Sequence, residues 1–80
     1  MYNITKKAIE SLKKEIESKL NYSNVSEYKI NLADIIERFD VSASTAYVIL
    51  RILRKHYETN EYDVSFVKSE LTIKKKQHGI

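Results

Sequence analysis

Eighty residues without cysteine or proline, with one glycine and a formal net charge of +3, point to one domain held by apolar packing and exclude disulfide or thiolate-metal staples. A chain of this size buries only roughly 60% of the surface its unfolded form exposes, so each core residue carries weight. MYNITKKAIESLKKE contains no uninterrupted apolar leader and no long apolar run follows, so the expectation is no membrane span and a cytoplasmic, intracellular protein, in the host cell if viral.

Ile4, Ala8, Leu12, Ile16 and Leu20 recur every four residues, with Ile9 beside them. Lys6, Lys7, Glu10, Lys13, Lys14 and Glu17 fill the other faces. That period predicts an amphipathic helix over residues 4–20, capped by Asn3. Polar turn material runs from Asn21 to Ser26, and Tyr28–Lys29–Ile30 alternates as a short strand. A second helix over 32–39 takes Asn31 as its cap and Asp34 at the positive end of its dipole. Its apolar surface is Leu32, Ala33, Ile35, Ile36 and Phe39. The pattern stops at Asp40. Val41 reads as a buried plug in a tight turn, and Ser42 as the cap of a third helix over 43–57. Ala46, Ile49, Leu50, Leu53 and Tyr57 form its inward stripe, which leaves the apolar Ile52 at an outward position.

Past Glu61 the period changes to two. Tyr62, Val64 and Phe66 alternate with Asp63 and Ser65, then Leu71 and Ile73 with Thr72 and Lys74. This predicts a hairpin over 62–76 that turns between Val67 and Glu70. With Gly79 the only glycine, left-handed turn residues are expected to be Asn or Asp, and Asn21, Asn24, Asp40 and Asn60 stand at the breaks. The fold class is therefore α+β, mainly α.

Charge is unevenly spread. Residues 1–40 hold seven cations and seven carboxylates, residues 41–80 seven cations and four carboxylates. Arg51, Arg54 and Lys55 fall in a stretch free of acids, as do Lys74, Lys75 and Lys76. Positive charge concentrated this way suits a polyanion. His56 and His78 have no partner at motif spacing, and no Gly-rich phosphate loop, paired-carboxylate motif or nucleophile elbow is present. No enzyme, cofactor, metal or small-molecule ligand is expected.

The segment LADIIERFDVSASTAYVILRIL (Leu32–Leu53) resembles the helix-turn-helix of bacterial and archaeal transcription regulators, most specifically at Val41–Tyr47. With a helix before it and a hairpin after it, almost the whole chain is similar to the winged helix-turn-helix family. The resemblance implies a double-stranded DNA-binding protein, a transcriptional regulator, with the third helix in the major groove and the basic hairpin on adjacent backbone or minor groove. It puts Ser42, Ala43, Ser44 and Thr45 at the DNA-facing helix start, followed by Tyr47, Val48 and Arg51, with Arg54 and Lys55 adding charge. Lys68 and Lys74, Lys75 and Lys76 would reach the flanking groove, and the acidic Glu58, Glu61 and Asp63 would face away. The family favours Gly where Asp40 stands, a small residue at Ile36 and a β-branched one at Ala46. The last two look exchanged in size, so Ile36 is expected to fill the space above Ala46.

Ala43, Tyr47 and Val48 suit thymine methyls, and Arg51 suits guanine or phosphate, so A·T-leaning sites are expected. Two other readings stay open: a protein-interaction winged helix docking through Tyr47, Val48 and Ile52, and an RNA-associated winged helix. A homodimer paired through the first helix and the Ile52 region is a further expectation for so small a core.

Overall fold

The four-residue apolar period becomes α1 (Tyr2–Tyr22) in the structure, a computed structural model that describes residues 2–23, 25–59 and 61–76. Ala8, Ile9, Leu12, Ile16 and Leu20 are buried, but Ile4 is 53% exposed. The helix starts before Asn3, which therefore does not cap it, and continues through Asn21, which is helical rather than left-handed. Nothing between Lys19 and Tyr22 breaks a helix, so α1 extends past its last core residue. Asn24, Asn60 and His78 lie outside the described residues.

β1 (Glu27–Asn31) leads directly into α2 (Leu32–Phe39). Asn31 ends the strand and caps the helix. Its Oδ1 accepts from the Asp34 amide at 2.8 Å, and its own amide donates to Asp34 Oδ2 at 3.2 Å. Two orphan donors are satisfied by one reciprocal pair, worth about 1 kcal/mol. Ile35 is buried, Leu32, Ile36 and Phe39 half-buried, and Ala33 exposed. Asp40 closes the helix in the left-handed region (φ 52°, ψ 51°), where a short polar side chain is tolerated in place of glycine. Val41 is half-buried rather than fully plugged into the core.

α3 (Ala43–Tyr57) buries Ala46, Ile49, Leu50, Leu53 and Tyr57, and packs against α1, α2 and both strands of the hairpin. Ala46 is fully covered, with the half-buried Ile36 packed against the same core. The hairpin is β2 (Tyr62–Val67) and β3 (Glu70–Lys75). The sheet is antiparallel in the order β1-β3-β2, so the last strand lies in the middle. Tyr28, Ile30, Leu71 and Ile73 are buried on one face, beneath the helices, whereas Lys29, Asp63, Ser65 and Lys74 are exposed on the other. Among the described residues no helix is long and apolar enough to cross a membrane.

Two side-chain clasps fix α1. Glu15 accepts from Tyr28 and from both guanidinium nitrogens of Arg38, at 3.0 and 2.9 Å, tying α1 to β1 and α2. The Arg38 hydrogen bond lowers the Glu15 pKa most, with burial opposing it. Tyr57 donates to Glu17 Oε2 at 3.1 Å and lies 3.4 Å from the Lys13 carbonyl, tying α1 to α3.

The hairpin turns on Lys68 and Ser69, with φ of 51° and 64°. Positive φ at both central residues is the pattern of a type I′ turn, which Asn-Gly serves best. The expectation that Asn or Asp would hold every left-handed position fails here. Ser69→Gly should remove a steric penalty of about 1 kcal/mol and raise the melting temperature by roughly 4–8 °C. Thermal denaturation followed by circular dichroism reads this directly.

Candidate nucleic-acid interface

The side chains that point away from the core on α3 follow from helix geometry. With five residues turned inward, Ser44, Val48, Arg51 and Lys55 recur at i, i+4, i+7 and i+11 and make the outermost stripe. All four are exposed, and Val48 keeps 45% of its surface. Neither Arg51 nor Lys55 joins an ion pair among the described residues. At the start of the helix, Ser42 Oγ accepts from the Thr45 amide at 3.2 Å and donates to Thr45 Oγ1 at 3.1 Å. It also lies 3.1 Å from Ser44 Oγ. The Ser42 hydroxyl is thus occupied with capping and Thr45 Oγ1 accepts from it; Ser42, Ala43 and Ser44 are exposed at that end and Thr45 is half-buried.

One flank of this stripe faces the hairpin. Tyr47, 44% exposed, meets Phe66 of β2 edge to face at 5.8 Å. Arg54 lies 6.0 Å from the same ring and 3.4 Å from Glu58. Phe66 therefore positions both residues, so Tyr47 acts partly as a packing side chain and Arg54 has its charge partly matched. The sequence period placed Phe66 on the inner face, but its two partners are visible only once β2 is docked beside α3.

The other flank faces α1. Here a shallow groove of about 510 Å³ runs between the helices, lined by Thr5, Lys6, Ile9, Glu10, Lys13, Val48 and Ile52. Ile52, 40% exposed, is half-covered by α1 within one chain. In the sequence, Lys6 and Lys13 only fill polar faces. Their spacing of seven, on the shoulder beside Ile9, is the signal that places both at one lip.

The hairpin lysines do not form a single patch. Lys68 sits at the turn, next to the start of α2, whose Leu32 amide donates to the Ser69 carbonyl at 3.0 Å. Lys74, Lys75 and Lys76 lie at the opposite end of β3, about 20 Å away at the rise of a strand. Strand alternation also splits them. Lys74 faces outward with Glu27 and Asp63 as its cross-strand neighbours. Lys75 points to the helical side and donates to Asn21 Oδ1 at 3.0 Å, while Lys76 lies 3.8 Å from Asp63. Asp63 therefore compensates part of the run that looked acid-free in the sequence, while Glu27 is itself paired with Lys29 at 3.3 Å. Because Tyr57 stacks edge-on with Tyr62 at 5.2 Å, this end of the hairpin adjoins the end of α3, not its start. Lys68 and the three later lysines therefore sit at opposite ends of the hairpin.

Comparison with known proteins finds no match to a family model, a curated protein or a solved structure. The surface must speak through its own chemistry. It offers an outermost stripe with two cations unpaired among the described residues, the apolar Val48 ahead of them and Ser44 at the helix start. Such a surface suits a ligand carrying regularly spaced negative charge and apolar edges.

Proposed function

We propose that the chain is a winged helix-turn-helix protein that binds double-stranded DNA, with α3 as the recognition helix in the major groove, and acts as a transcriptional regulator. The observation that carries this reading is the outermost stripe of α3. Ser44, Val48, Arg51 and Lys55 are exposed, contain no acid, and lie on the helix that packs against most of the other elements. A helix with its side chains measures about 10–12 Å across and matches a major groove about 12 Å wide. The element order and the Asp40 turn between α2 and α3 support the same reading. Duplex RNA suits it less, because the deep, narrow major groove of RNA does not admit a helix.

Arg51 is the side chain best placed to read a base edge or hold a phosphate, and Val48 suits a thymine methyl. Selection from random duplex DNA with a gel-shift readout tests the reading. A recovered consensus should lean to A·T, and affinity should fall on the order of a hundredfold or more between about 50 and 200 mM salt. Arg51→Ala should cost about 1–3 kcal/mol and relax preference at one base-pair position. Salt-insensitive binding, or no binding to any duplex, would overturn the reading in favour of a protein partner docked on Val48 and Ile52.

A further inference from the structure

The two flanks of α3 are electrostatically different. On the hairpin side Arg54 already has Glu58 as a partner. On the α1 side Lys6 and Lys13 stand at the groove lip, and neither joins an ion pair among the described residues. Glu10 is the single carboxylate lining that groove. The outermost stripe adds Arg51 and Lys55 beside this lip, while at the far end of the hairpin Lys76 is paired with Asp63 and Lys74 has Glu27 and Asp63 as cross-strand neighbours. Cations that join no ion pair among the described residues therefore line both the outermost stripe of α3 and the adjoining lip of α1.

A helix that fills the major groove leaves one phosphate strand on each side. Packed helices lie about 8–10 Å apart axis to axis, so the near shoulder of α1 comes over one of those strands. Lys6 and Lys13 are seven residues apart, about 10 Å along the helix, and so reach different phosphates. Between them, Ile9, Val48 and Ile52 present an apolar floor to the sugar edges. We infer that this lip, through Lys6 and Lys13, grips the sugar-phosphate strand on the side of α3 away from the hairpin, an assignment that rests on the DNA-binding reading of α3. A second copy of the chain fits less well, because three apolar side chains fall far short of the roughly 800 Å² per partner that a stable interface buries.

The test compares duplex affinity against salt for the parent chain, for the double variant Lys6→Gln with Lys13→Gln, and for Lys7→Gln with Lys14→Gln. The last pair removes the same charge from exposed positions of α1 that do not line the groove. Two lost phosphate contacts lower the salt slope, so the parent should lose about tenfold more affinity than the Lys6/Lys13 variant between about 50 and 200 mM salt. The Lys7/Lys14 variant should keep the parental slope, and Lys6→Arg with Lys13→Arg should restore it. If the parent binds duplex and the Lys6/Lys13 variant is equally salt-sensitive, the lip assignment falls while the DNA reading stands. Equal slope loss in both Gln pairs also overturns it, since α1 would then act by net charge alone. A dimer in sedimentation that the Lys6/Lys13 variant abolishes would give the groove to a second copy. A parent that binds no duplex overturns the DNA reading itself, and this outcome is recognisable before any variant is made.

Discussion

Leu50→Ala is expected to destabilise the domain by about 2–5 kcal/mol, the range for deleting a fully buried leucine side chain. Leu50 has no exposed surface, and its helix packs against α1, α2, β2 and β3, so no single neighbour can collapse into the space left. An 80-residue domain has roughly 4–12 kcal/mol of stability in total. The loss is thus a large fraction of it and should lower the melting temperature by about 10–30 °C. Val48→Ala, two residues earlier on the same helix, changes an exposed side chain and should stay within about 0.5 kcal/mol. The pair separates the inward stripe from the outward one by stability alone. Equal effects in urea denaturation would mean that α3 is rotated from the orientation described.

The helices were legible in the sequence because their signals are local. The spacing of Ala8, Leu12, Ile16 and Leu20, the Asn31 and Ser42 caps and the inward stripe of α3 depend on neighbours within one or two turns. The end of α1 was less legible, since no glycine or proline marks it and Asn21 is compatible with helix or turn. The clasps could not be read at all. Tyr28 meets Glu15 across 13 residues and Tyr57 meets Glu17 across 40, and nothing local pairs them.

The lysine run shows a different failure. Lys74, Lys75 and Lys76 are contiguous in sequence, but the period of two that predicted β3 sends alternate side chains to opposite faces. That much could have been foreseen. The position of Glu27 opposite Lys74 could not, because it depends on β3 lying between β1 and β2. Strand order is a long-range property, and it sets acids beside a run that looked acid-free in the sequence.

The same clasps make alkaline pH the condition to which the fold should be most sensitive. Tyr28 and Tyr57 are both buried. Burial raises the pKa of each, and the carboxylates of Glu15 and Glu17, which accept from the two hydroxyls, raise it further. A folded-state pKa above the unfolded value of roughly 10 means that the folded chain holds these protons more tightly. The stabilisation is complete below pH 10 and is lost as pH rises from there towards the folded-state values. For two such groups the slope is at most about 3 kcal/mol per pH unit. On the acid side the direction reverses. The lowered pKa of Glu15, owed first to Arg38, gives stability that is present above the ordinary carboxyl range and lost below it. That contribution is smaller, because the ion pair is partly exposed to solvent. Chemical denaturation from pH 7 to 12 should therefore show a steep fall above pH 10 in the parent. Tyr28→Phe combined with Tyr57→Phe should be somewhat less stable at pH 7, through the lost hydrogen bonds, yet fall less steeply above pH 10, where Tyr62, its pKa raised chiefly by burial, keeps part of the slope. Parallel profiles for parent and variant would show that neither tyrosine is held protonated by its clasp.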